Sequence, residues 1–229
     1  SGKAYGTCTV KVKQTTCCPQ EETPKNTVAE NAVEDPVDAY TGAHLIRNAI
    51  MGLFGGQNIN LIAQYDSTQL SCGMLGLGWY HNYEKYVEID GCDAFVYSSP
   101  SVFSKYTSTD DSCSVFECCS PNRAGYVLTV DRSKTHPYIL NCNSARVEHY
   151  NANGDLAKVV DHQGFETLIA YEGNQITITD TVSGKKIYIE KDAECRISRV
   201  YDDASRQATF VYTNGLLTEI HDVNGNIFA

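Results

Sequence analysis

The sequence predicts a mainly-β protein of antiparallel strands. An N-terminal β-domain comes first, followed by ~20-residue β-hairpin repeats that form an open ribbon. Composition is the first observation behind this expectation. Val (18), Ile (14), Thr (19) and Tyr (15) supply 66 of the 229 residues, and these types fit a pleated, half-buried surface. Leu numbers 12 and Met 2, too few for a helical bundle. The second observation is a period near 20 residues in the last third of the chain, the mark of a repeat architecture.

Residues 1–34 read as a flexible N-terminal segment and linker. Thr7 to Lys13 alternates as one short strand would, and Pro19 to Asn26 is polar and proline-bearing. Residues 35–146 read as the N-terminal β-domain. A short helix is expected around Ala43 to Leu53, the main departure from strand. Beyond it lie β-like runs at Ile59–Tyr65, Tyr83–Ile89, Ala94–Tyr97 and Tyr126–Val130, separated by the turn clusters Asp90-Gly91, Ser98-Ser99-Pro100 and Ser120-Pro121-Asn122. The glycines Gly73, Gly76 and Gly78 stand just before Trp79. Their spacing reverses the dinucleotide fingerprint and no lysine follows, so they read as tight backbone packing ahead of a buried Trp79.

Residues 147–229 read as the repeats. Leu156, Ile176, Ile197 and Leu217 are spaced by 20, 21 and 20. Asp161, Asp180, Asp202 and Asp222 follow the same rhythm, as do Gly164, Gly184, Ser205 and Gly225. Tyr150, Tyr171 and Tyr212 open three of the units, each followed by turn chemistry such as Gly154 or Gly215, and Lys191 fills the remaining tyrosine slot. Alternating strands such as Ile176 to Thr179 and Lys186 to Glu190 give each unit two strands and two turns. In Asp-x-x-Gly the Asp accepts a local N–H and the Gly takes the positive φ that a β-carbon resists, so Gly164, Gly184 and Gly225 are expected at φ > 0. One such unit cannot bury its apolar face alone, so neighbours must stack into a continuous sheet.

Tyr212-Thr-Asn-Gly215-Leu-Leu-Thr-Glu-Ile220-His-Asp222-Val-Asn-Gly225, with Tyr150 to Gly164 in the same register, resembles the YD repeats of Rhs proteins, bacterial relatives of the teneurin shell. Two upstream segments add to the likeness. Asp35-Pro36-Val37-Asp38-Ala39-Tyr40-Thr41-Gly42 resembles the Asp-Pro-Val-(Asp/Asn)-x-x-Thr-Gly segment that opens the domain preceding Rhs repeats. Gly73 to Tyr83, through Gly76, Gly78, Trp79 and His81, resembles that domain's Gly-x-Leu-Gly-x-Gly-Trp-x-His-x-Tyr segment, with Leu61 to Tyr65 as the strand between the two. The resemblance implies the N-terminal region of a shell whose β-ribbon spirals around a C-terminal cargo, often a toxin. No segment matches the aspartyl autoprotease region of many members, and the chain is expected to be the start of such a shell.

The formal charge of −10 excludes a generic nucleic-acid binder, which needs surplus cations to displace counterions from phosphate. It equally excludes a polybasic membrane-surface protein, and no apolar run reaches the ~20 residues of a membrane helix. Ten cysteines, including the vicinal pairs Cys17-Cys18 and Cys118-Cys119, favour disulfides over free thiols or metal and point to a secreted or bacterial cell-surface location. Vicinal cysteines should each seek a distant partner. The repeat aspartates read as turn formers rather than calcium ligands, and His81 as a structural histidine. No catalytic residue, cofactor or metal site is assigned. The expected partners are downstream segments of the same polypeptide, both cargo and further repeats. A non-enzymatic shell module is the leading reading. The alternative is a cell-surface β-module that binds glycan or a partner protein through its tyrosines.

Overall fold

The computed structural model describes residues 43–54 and 58–228. The first motif, Asp35, Pro36, Asp38, Thr41 and Gly42, lies outside these residues, as does the N-terminal segment. Apart from one 3₁₀ turn at Pro121–Arg123, every named element is a strand.

A small module comes first. Strands β1 (Leu45–Leu53), β2 (Ile59–Asp66), β3 (Cys72–Gly73), β4 (Gly76–Leu77) and β5 (Trp79–His81) form a three-stranded sheet in the order β1-β2-β5 and a β3-β4 ladder. The helix expected around Ala43 to Leu53 is therefore corrected to strand β1. Its pairing with β2 shifts register between Ala49 and Met51, so Ile50 and Met51 are both buried. Such a bulge breaks the period-two alternation that would have marked a strand.

A long ribbon follows. It starts with β6 (Tyr86–Asp90), β7 (Asp93–Tyr97), β8 (Phe103–Ser108), β9 (Val115–Cys118), β10 (Tyr126–Val130), β11 (Tyr138–Cys142) and β12 (Arg146–Tyr150). It continues with β13 (Leu156–Asp161), β14 (Glu166–Glu172), β15 (Gln175–Asp180), β16 (Lys186–Lys191), β17 (Ile197–Asp202), β18 (Gln207–Thr213), β19 (Leu216–His221) and β20 (Ile227–Phe228). These 15 strands form ladders only with their chain neighbours, all antiparallel, in one sheet that does not close, and one isolated bridge joins Tyr86 to Asp155. The sheet runs unbroken through residue 146, and the change of architecture falls between β5 and β6.

The ribbon is curled. In a flat sheet, strands about 4.8 Å apart would hold β6 and β12 about 29 Å from each other. Instead Val87 N–H donates to Gly154 O at 2.8 Å, and Leu156 N–H donates to Lys85 O at 3.1 Å. The leading edge of the ribbon is thus stitched to the turn after β12, and the sheet continues past this seam as β13.

Five of the repeat turns share one design. Asn151, Asp161, Asp192, Asp202 and Asp222 each accept, through Oδ1, the N–H four residues on, at 2.8–3.0 Å. The residue three positions on is left-handed in every case: Gly154, Gly164, Cys195, Ser205 and Gly225. The Asp180 turn is one residue longer and places Gly184 at φ +71. The three glycines expected at positive φ are there.

One apolar cluster runs through both layers. The module supplies Ile50, Met51, Leu61, Leu75 and Trp79, and the ribbon supplies Ile178, Ile187, Ile189, Val200 and Leu217 among others. Each fully buried aliphatic side chain contributes about 1.5–3 kcal/mol, so the module and ribbon stabilise each other. Cys92, between β6 and β7, is disulfide-bonded to Cys113, before β9, with Cα atoms 5.0 Å apart; Cys72 is disulfide-bonded as well. Cys118, Cys119, Cys142 and Cys195 are free, so the vicinal pair Cys118-Cys119 does not reach for distant partners as expected.

Candidate functional site

The module meets the ribbon through the glycine-rich segment before Trp79. A Cβ on Gly73 would lie 2.3 Å from Trp79 O, and one on Gly78, at φ +74, would lie 2.8 Å from the Tyr65 ring. The backbone can fold this tightly only without those side chains. Trp79 is buried, with its ring 5.1 Å from that of Tyr65. The payoff is at the tip. Met74 O accepts Ile197 N–H at 2.8 Å, and Gly76 packs against Leu217 N and the Tyr212 ring. At the other end of the module, Arg206 donates to Gly52 O at 3.0 Å and Lys185 donates to Phe54 O at 2.6 Å.

Glu84 holds the tip in place. Its carboxylate accepts Met74 N–H at 2.7 Å and, more weakly, His81 N–H at 3.4 Å. Among the described residues no cation pairs with it, and burial pushes its pKa up to about 8 against the relief of those two bonds. His81 is buried and held neutral, its pKa pushed down to about 4 by burial. Its Nδ1 accepts Tyr83 N–H at 3.3 Å, while Nε2 has no partner among the described residues. Burial raises the Tyr83 hydroxyl to about 12.

The seam has its own glycine. Gly154 is at φ +88, and a Cβ there would sit 2.2 Å from Val87 O. By contrast Gly164, Gly184, Gly215 and Gly225 face open space. Beside the seam the buried Glu148 accepts from Lys85 and Arg146 through Oε1, both at 2.7 Å, and from Tyr150 through Oε2 at 2.7 Å. Burial alone would raise this carboxyl, but the two cations and the hydroxyl outweigh it and hold the pKa below its ordinary value.

The tyrosines divide. Tyr171 donates to Leu156 O at 2.9 Å, and Tyr212 donates to Ile197 O at 2.8 Å. Both tyrosines and both acceptors are 41 residues apart, so these two positions are structurally equivalent. Leu156 and Ile197 also each give their N–H to the upstream part of the chain, to Lys85 O and Met74 O. Tyr150 is different, being buried on Glu148. The full structural repeat is therefore four strands, built from two unlike hairpins of about 20 residues.

Asp161, Asp180, Asp202 and Asp222 lie in turns and are spread along the ribbon. Among the described residues no three His, Cys, Asp or Glu side chains gather as a metal-binding group, and no helix is long and apolar enough to cross a membrane. Sequence reasoning missed Glu84, Lys85 and Glu148: Lys85 and Glu148 meet across 63 residues, and Glu84 binds the backbone of Met74 and His81, contacts that carry no residue-type signature. It also missed the Asp192 turn, although a signal existed: Asp192 with Arg196 repeats Asp202 with Arg206 in spacing and in ion pairing.

Residues 34–101 match a family model described as a domain of unknown function (DUF6531), less than a third of the chain. The match covers the small module and the first two ribbon strands. No curated protein matches the chain.

Proposed function

We propose that this chain is a non-enzymatic structural module that begins an Rhs/YD-repeat shell enclosing downstream polypeptide, a toxin being the type of cargo such shells carry. The observation that carries the reading is the open, curled ribbon with a separate module seated on its apolar face. A sheet that bends back on its own leading edge and then continues past it has the form of the first coil of a spiral. The docked module occupies the space where an open coil would otherwise expose apolar surface. The DUF6531 match adds support, because that domain is often found in Rhs/YD-repeat proteins. The mechanism is steric: cargo is enclosed and needs no chemistry from the wall. The Cys92–Cys113 disulfide favours an oxidising destination, secreted or on the bacterial surface.

The test is protease protection of the full natural polypeptide. The reading predicts that a segment following the ribbon resists proteinase K in native buffer and becomes sensitive once the ribbon is unfolded. Rapid native cleavage of everything outside the ribbon would overturn it.

One observation favours the second reading, a glycan-binding surface module. Tyr188 and Tyr201 stack at 4.9 Å, with Arg199 over the Tyr201 ring, on the ribbon face that carries the Glu190–Arg199 ion pair. Amphipathic rings of this kind stack on pyranoses. Saturable binding on a glycan array, lost in Tyr201→Ala, would establish that reading; no saturable binding would dismiss it.

A further inference from the structure

A cavity of about 100 Å³ opens where the ribbon meets its own leading edge. Lys85, Arg123 and Arg146 converge on it, together with Glu148, Tyr126 and Cys142. They come from separate places: Lys85 just before β6, Arg123 in the 3₁₀ turn, Arg146 at the start of β12 and Glu148 within it. Three cations face one carboxylate, and that carboxylate is already engaged by Lys85, Arg146 and Tyr150. Arg123 pairs with no carboxylate among the described residues. The lining therefore carries two positive charges in excess, in a chain whose formal charge is −10. Behind Arg123 stands the buried Tyr106, whose hydroxyl is close enough to interact with both the Arg123 guanidinium and the Cys118 thiol.

We propose that this cavity is a binding site for a small dianionic oxyanion of the phosphate class. Size and charge both select it. At about 100 Å³ the cavity is small, and it admits a single oxyanion group such as phosphate among its converging cations. Guanidinium groups offer planar forks of N–H donors that match oxyanion geometry, and the two in this cavity approach from different elements, the 3₁₀ turn and β12. Partial burial strengthens the attraction relative to open solvent. The bound anion would touch both sides of the seam, with Lys85 on the leading edge and Arg146 on β12, and so would fasten the first coil. Ligands that bind only the folded state stabilise it by mass action.

The test uses the chain itself, titrated with sodium phosphate and with sodium chloride at matched ionic strength. The readouts are calorimetric binding, melting temperature and the Nε–Hε signals of Arg123 and Arg146. Phosphate should bind saturably, raise the melting temperature and shift both signals, and chloride should do none of these. Acetate should bind at least about fivefold more weakly, having half the charge. O-phosphoserine run in parallel separates free phosphate from a phosphate carried on a side chain, and saturable binding of either supports the site. Arg123→Gln, in the surface 3₁₀ turn, should weaken phosphate binding at least about tenfold, with the melting temperature in the absence of phosphate showing that the fold is intact. Lys85→Met should weaken it too, but it also touches the seam, so Arg123→Gln decides. No saturable binding, equal responses to chloride and phosphate, or unchanged affinity in Arg123→Gln would overturn the proposal.

Discussion

At the scale of single residues, two kinds of glycine must be told apart. Gly154 and Gly225 have nearly equal φ, +88 and +83, but only Gly154 faces backbone. A left-handed non-glycine residue costs ~1–2 kcal/mol. Gly225→Ala should cost about that much, and Gly154→Ala should cost well over it, because Val87 O must move and the seam with it. Urea denaturation of both variants measures the difference, and equal losses would mean the seam is not formed. Glu84 gives a second prediction. Its pKa is raised in the fold, so between the unfolded value near 4.5 and about 8 the native state binds more protons than the unfolded state. Stability from this group is present below pH 4.5 and is lost as pH rises toward 8. His81 has the opposite profile: its lowered pKa makes stability fall as pH drops from 6.5 through about 4. Glu84→Gln keeps an acceptor for Met74 N–H and removes the titration. Stability measured from pH 5 to 8 should then lose its downward slope; an unchanged slope would assign it to other groups.

At the scale of elements, the repeat tyrosines act as cross-strand ties. Tyr171 and Tyr212 each bond a carbonyl 15 residues upstream. Tyr171→Phe and Tyr212→Phe should each cost about 0.5–1.5 kcal/mol, and by similar amounts, since the two sites are equivalent. Chemical denaturation checks this, and a clear effect at only one site would contradict the four-strand repeat. The repeat strands were legible in the sequence because Ile176-Thr-Ile-Thr179 and Lys186 to Glu190 alternate cleanly between a buried and a solvent face, whereas β8, β9 and β11 in the cysteine-rich stretch were not marked as runs. The positive-φ glycines were legible because Asp-x-x-Gly has a local cause. Strand β1 was not, because the bulge at Ile50 puts two buried residues side by side and Ala, Leu, Arg and Met favour helix locally. The Cys195 turn was hidden because a cysteine occupies a left-handed slot that usually signals itself through glycine. Nor could the sequence show that Glu148 meets Lys85 across 63 residues. The ~20-residue rhythm was readable; that Tyr150 and Tyr171 do different work was not, since the difference depends on which strand lies beneath each ring.

At the scale of the whole molecule, the disulfide and the seam constrain the same coil. Cys92–Cys113 spans 21 residues, a loop whose closure is worth about 3 kcal/mol in the chain-entropy account. Reduction should lower the melting temperature. Alkylation of the unreduced, denatured protein should label Cys118, Cys119, Cys142 and Cys195, while Cys92 and Cys113 should react only after reduction. Mass spectrometry reads both states, and labelling of Cys92 without reduction would contradict the pairing. The functional proposal requires more than a stable sheet. It requires that module and ribbon fold as one curled body, held by hydrogen bonds that no flat sheet or detached module could make. Val87, Leu156 and Ile197 donate those bonds, to Gly154, Lys85 and Met74. Amide hydrogen exchange at these three positions is the most direct measurement. The account predicts that all three exchange as slowly as the central amides of β15 and β16, through the same global opening. Rapid exchange at the three, with the neighbouring strands still protected, would show a ribbon that neither curls onto its leading edge nor carries the module, and would contradict the account.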